Sequence, residues 1–191
     1  MPAASQLPQS VEMQDRLSAM HVDEWLKEDV FTFRWWLLIA LILLTVVIWW
    51  FLLEKSRLKE LLLFTALGII LSLGLNEYGE ELVFWDYPTD VIAIFPPLSS
   101  INLLILPLSY SLAYQHFAKL RSYVKAVLVV TAVICFAVEP LFARMGLYRL
   151  LNWQYHFSYL LFIAVALTLR LVTKKVILIT EKSNREKGDA L

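Results

Sequence analysis

The chain has 191 residues, seventeen basic and seventeen acidic side chains, a hydrophobic fraction of 59% and a mean hydropathy of +0.63. Charged residues make up 18%, against about 25% in ordinary soluble domains; this excludes a disordered chain, a collagen-like repeat and a typical soluble enzyme, and points to a polytopic membrane protein. Zero net charge offers no basic field to nucleic acid, and a single cysteine excludes an internal disulfide or a multi-cysteine metal site.

Residues 1–34 form a polar, amphipathic N-terminal segment. No short apolar core follows a basic start, so no cleavable leader is expected. His21 to Arg34 suits an interfacial helix with Trp25 and Leu26 facing lipid. Residues 35–180 then hold five stretches near the roughly 20 apolar residues needed to cross a hydrocarbon core. The expected fold is an all-α bundle of five transmembrane helices, followed by a cytoplasmic tail over 181–191.

The first stretch, Trp35 to Leu53, opens with Trp35 and Trp36 and closes with Trp49 and Trp50, an aromatic belt at both interfaces. The second, Leu61 to Glu77, carries Thr65, Gly68, Ser72 and Asn76 at helical spacing, a face on which neighbouring helices pack closely. Leu82 to Ser99 is broken by Pro88, Pro96 and Pro97 and charged by Asp86 and Asp90. It reads as a surface or re-entrant loop, with Asp90 to Phe95 dipping into the interface.

The third stretch, Ile101 to Phe117, contains Pro107 and is expected to kink there. The fourth, Ala126 to Phe142, carries Thr131, Cys135 and Glu139 at intervals of four, then Pro140. The fifth, Phe157 to Val172, leaves the membrane at Arg170, Lys174 and Lys175, whose long side chains snorkel to the head groups. Five crossings put twelve basic residues on the side of the C-terminus and five on the other. The N-terminus is therefore expected outside and the C-terminus in the cytoplasm of a cell-membrane protein.

That topology gathers the unusual polar residues on the outer side. Asn76, Glu77, Trp85, Asp86, Asn102, Glu139, Asn152, Trp153 and Tyr155 are the candidate ligand-binding residues. Glu139 supplies charge or a hydrogen bond, the asparagines orient polar groups and the tryptophans stack. An ionisable group inside a span is costly and usually faces the bundle interior. Glu139 reads either as a ligand-binding or proton-handling carboxylate, or as an interfacial residue paired with Arg144 or Arg149. Glu77, Glu80 and Glu81 could share one helical face, more often a solvated helix end than a cation site. His116 and His156 fall on opposite sides, and Cys135 reads as a small core residue.

Neither a phosphate loop, a nucleophile elbow nor a zinc-protease motif is present. No catalytic residue, cofactor or metal is expected. The leading functional expectation is a non-enzymatic protein that binds a membrane lipid, an apolar small ligand or a membrane-protein partner, with no nucleic acid. One alternative is an intramembrane enzyme acting on an isoprenoid or lipid, with Glu139 or Glu77 as general acid. The other is a structural membrane subunit.

The segments WWFLLEKSRLKELLLF, LVFWDYP and EPLFARMGLYRLLNWQYHFSY, in that order, resemble a family of small polytopic membrane proteins of endospore-forming bacteria, over about residues 33–172. The resemblance implies an integral membrane protein linked to sporulation and carries no assigned activity. A fainter likeness is to the helical-bundle carotenoid cyclases, which combine a Trp–x–Tyr segment, here Trp85 to Tyr87, with embedded carboxylates. Their proline-and-glutamate order is reversed in Glu139–Pro140. This likeness supplies the enzyme alternative.

Overall fold

The computed structural model describes residues 8–92 and 102–188 of the chain. Helix α1 (Gln9–Glu24) runs through one π-helical turn at Trp25–Asp29. Thr32 starts α2 (Phe33–Leu52): its hydroxyl accepts from the Trp35 amide at 3.3 Å and donates to the Asp29 carbonyl at 2.7 Å, occupying an otherwise orphaned helix-end donor. A 3₁₀ turn at Lys55–Arg57 leads into α3 (Leu58–Glu81). Strand β1 (Trp85–Asp86) precedes α4 (Asn102–His116). Then come α5 (Leu120–Val133), a π turn at Ile134–Val138, α6 (Glu139–Arg144), strand β2 (Arg149–Leu150) and α7 (Tyr155–Gly188). The π turn lies just before Pro140, which lacks the amide hydrogen that would bond four residues back.

The fold is all-α, apart from two-residue strands paired antiparallel. Among the described residues three stretches are long and apolar enough to cross a membrane: Phe33–Leu52, Lys55–Glu81 and Leu120–Arg144. The other two expected crossings fall in α4 and α7. Helix α4 has 15 residues, about 22 Å, and α7 has 34, about 51 Å. Helix α7 passes residue 180, the expected edge of the tail, without a break.

Helix α4 packs on α2, α3 and α5, while α3 and α5 also contact α7. Thr65, Gly68 and Ser72 are buried, as the small-residue stripe predicts. A Cβ on Gly68 would lie 2.9 Å from the Pro107 Cβ, so the helices meet where one has no side chain and the other has a rigid ring. The paired tryptophans of α2 split. Trp36 and Trp50 are exposed, as a belt requires, whereas Trp49 donates to the Ser111 hydroxyl at 2.7 Å and Trp35 to the Val91 carbonyl at 3.0 Å. Adjacent helical residues point about 100° apart, so one of each pair turns inward.

At the far end of the bundle, Arg170 is 2% exposed, not the snorkelling exit residue the sequence suggests. Its guanidinium donates to the Phe117 and Ala118 carbonyls in the α4–α5 turn and lies 4.4 Å from the Tyr123 ring. Tyr114 donates to Glu60, which is bridged to Arg57 at 3.0 Å; Arg57 donates in turn to the Gln115 carbonyl. Gln115 closes the set by donating to the Leu52 carbonyl and accepting from the Glu54 amide.

Helix α3 ends in a Schellman motif. The Phe84 amide bonds the Gly79 carbonyl at 2.8 Å, the Val83 amide bonds the Glu80 carbonyl at 2.9 Å, and Val83 has φ +56°. Glycine normally takes that left-handed position, and Gly146 (φ +72°) does so at the end of α6. Because Val83 is half exposed, Val83→Gly should stabilise the protein by about 1 kcal/mol through relief of backbone strain. A thermal melt of the purified protein checks the sign.

Candidate functional site

The two Schellman turns feed the segments that carry β1 and β2, which form a cap over one end of the bundle. Trp85 pairs with Leu150 and Asp86 with Arg149 in the strand register. Asp86 and Arg149 also approach to 3.8 Å. The Leu151 and Asn152 amides bond the Phe84 carbonyl, and the Asn152 side chain donates to the Val83 carbonyl at 3.1 Å. Trp153 stacks on Phe84 at 4.8 Å, meets Trp85 edge-on at 5.5 Å and donates to the Ser158 hydroxyl. Both tryptophans thus pack within the cap. Trp85 itself lies flat over Gly79, where a Cβ would come within 1.9 Å of its ring.

Beneath the cap, Tyr87 donates to Asn76 at 3.1 Å and packs against Tyr148 at 5.4 Å. Glu139 is 1% exposed. Thr131 and Cys135 below it are equally buried, so the expected stripe faces the interior, and Thr131 is hydrogen-bonded to Tyr110 at 2.8 Å. Arg149 pairs with Asp86, and Arg144 is exposed. Burial pushes the Tyr148 phenol well above its ordinary value, and the negative charge of neighbouring Glu139 pushes it further.

The structure therefore brings eight of the nine candidates to one end of the bundle in three groups. Trp85, Asp86, Asn152 and Trp153 form the cap, and Asn76 lies under it through Tyr87. Glu139 sits with Tyr148 and Tyr155. Glu77 sits apart beside Glu81, whereas Glu80 lies within electrostatic reach of Asp90 and Asp86 as well as Glu77. Asn102 is the first described residue of α4. Among the described residues no group of three or more His, Cys, Asp and Glu side chains is arranged to hold a metal ion.

Sequence reasoning missed the strap that α1 lays over the cap. His21 Nε2 lies 2.8 Å from Asp90, whose backbone carbonyl accepts from the Trp25 indole at 2.9 Å. Asp29 accepts from the Asp90 amide at 3.3 Å. Trp25 therefore turns to the 85–92 segment, while Leu26 stays exposed. Of the expected Asp90-to-Phe95 dip, residues 93–95 lie outside the described residues; Asp90 and Val91 are held by the strap and by Trp35. The only sequence signal was a histidine beside a tryptophan-bearing amphipathic segment.

Burial raises the Asp29 carboxyl above its ordinary value, with the Asp90 and Glu28 charges adding to the rise and the Asp90 amide and His21 opposing it. A raised value in the docked state means that docking takes up a proton. Docking is thus strongest below the ordinary carboxylate value and weakens as pH rises through the raised one. In a His21→Gln background, which leaves Asp29 without the imidazole, a nitroxide at residue 17 should become more mobile as pH rises through this window. Asp29→Asn should abolish that change.

A second feature lies on the flank. A cavity of about 510 Å³ runs between α3 and α7, lined by Leu67, Ile70, Gly74 and Tyr78 on one side and Thr168 and Val172 on the other. Its lining is almost wholly apolar. A Cβ built on Gly74 would meet nothing within 4 Å, so Gly74 forms a hollow in the wall. The 510 Å³ volume lies within the roughly 300–1,000 Å³ range of small-molecule sites. Comparison with protein-family models, curated proteins and solved structures finds no match for this chain.

Proposed function

We propose that the chain is a five-pass integral protein of the cell membrane, with its cap and N-terminus outside, that works by holding a membrane lipid in the α3–α7 groove. Two crossings beyond the three long apolar helices are assigned to α4 and α7. The twelve-to-five distribution of basic residues supports that orientation. The observation that carries the binding reading is the groove itself: an apolar channel in the flank of a helix long and apolar enough to cross a membrane. The polar and aromatic residues of the outer end serve this site by fixing the end of α3. Trp85 is clamped over Gly79, and Asn76 is tied to Tyr87.

Closure of the cap favours a second reading, a structural subunit, because Asp86, Asn152 and Trp153 are engaged within the fold. Catalysis through Glu139 has less support, since that carboxylate is buried beneath the cap and the groove is lined from α3 and α7. Native mass spectrometry of protein extracted in mild detergent separates the readings. The lipid-binding reading expects a retained lipid on the wild type and its loss in Gly74→Trp, which fills the hollow. Wild type and variant stripped equally bare would contradict it.

A further inference from the structure

A narrow crevice lies under the cap, between α3, α4 and α7. Ser72, Leu75 and Asn76 line it from α3, Leu106 from α4 and Phe162 from α7, and Trp85 closes it from the cap. It shares Leu75 with the α3–α7 groove but differs from it in size and chemistry. The groove offers about 510 Å³ and an almost wholly apolar wall. The crevice offers about 10 Å³, and Ser72, Asn76 and Trp85 bring hydrogen-bonding side chains to its wall.

Its chemistry starts from an orphaned donor. Trp85 is 7% exposed, and its indole N–H is buried and makes no hydrogen bond among the described residues. Such a donor has forfeited the hydrogen bond it made to water in the unfolded chain. The direction of the indole follows from its contact with Gly79. A Cβ there would meet Cε2, Cζ2 and Cη2 of the Trp85 ring, and Cε2 is the carbon bonded to the indole nitrogen. At about 100° per residue, Ser72, Asn76 and Gly79 lie within about 60° of one another on α3. The nitrogen edge of Trp85 therefore meets the face of α3 that Ser72 and Asn76 share. Size then selects the occupant. A buried water needs roughly 10–15 Å³ of space for its centre and two to four polar partners. A lipid chain or head group needs far more.

We propose that this crevice is a binding site for a single water molecule that bridges the cap to α3. The water accepts from the Trp85 indole N–H and donates to the Ser72 hydroxyl, with the Asn76 amide as its further polar partner. Asn76 also receives the Tyr87 hydroxyl, so Tyr87 directly and Trp85 through the water are tied to one face of α3. The site stands independently of the lipid-binding reading.

The test is nuclear magnetic resonance of the full-length protein in lipid nanodiscs with isotope-labelled tryptophan. Trp85→Phe identifies the Trp85 indole signal among the seven tryptophans. The expected result is a dipolar cross-peak between that indole proton and water, with the sign of a long-lived contact. It should vanish in Ser72→Val, whose side chain fills the water's place, and weaken in Ser72→Ala, which removes only the hydroxyl. The Trp49 and Trp153 indoles, bonded to Ser111 and Ser158, report that core and cap remain folded in each variant. Absence of the cross-peak in the wild type would overturn the proposal whatever the variants do. A cross-peak that persists unchanged in both variants, with the Trp49 and Trp153 signals in place, would overturn the crevice as its source.

Discussion

Replacing Arg170 with methionine should lower the stability of the bundle by about 3 kcal/mol, since two charge-assisted hydrogen bonds are lost and the Phe117 and Ala118 carbonyls keep no equivalent donor. The methionine fills part of the volume, so the loss comes mainly from polar groups and the cation–π contact with Tyr123. Arg170→Lys should recover only part, because an ammonium cannot reproduce a planar fork aimed at two successive carbonyls. A thermal melt in detergent measures both variants. A methionine variant that melts with the wild type would show that the lock contributes nothing to stability.

Two glycines of α3, five residues apart, should respond in opposite directions. Gly79→Ala drives a Cβ to within 1.9 Å of the Trp85 ring, and both groups sit where backbone and indole have little room to separate. Trp85 must leave its place against Trp153, and the β1–β2 pairing goes with it, at a cost of about 3 kcal/mol or more. Gly74→Ala meets open space and replaces a helix-interior glycine, so it should stabilise by about 0.5–1 kcal/mol. Hydrogen exchange at residues 84–86 and 149–152 reports the cap directly: faster in Gly79→Ala, unchanged in Gly74→Ala.

Particular residues mark how far the sequence could be read. The Thr65–Gly68–Ser72 stripe and the Thr131–Cys135–Glu139 stripe were legible because helical periodicity fixes which residues share a face. The partners of those faces were not legible, because Gly68 meets Pro107 across a long sequence separation and Glu139 comes near Tyr148 only through the turn that follows α6. The tryptophans were read by composition as a belt, but composition cannot say which of two adjacent indoles turns inward to Ser111 or Val91. Arg170 looked like an exit residue because basic side chains commonly mark helix ends. Its role depends on the α4–α5 turn presenting two carbonyls to it. The groove depends on the crossing of α3 and α7, which no local pattern encodes.

The central claim is the threading of the chain, because the basic-residue asymmetry and the assignment of the cap to the outer side both follow from it. Single cysteines at Ser10 in α1 and Ser183 in α7, in a Cys135→Ser background, can be labelled in intact cells with a membrane-impermeant maleimide. The account expects Ser10→Cys to label at once and Ser183→Cys to label only after permeabilisation. Labelling of both, or protection of both, would place the two ends in one compartment and contradict it.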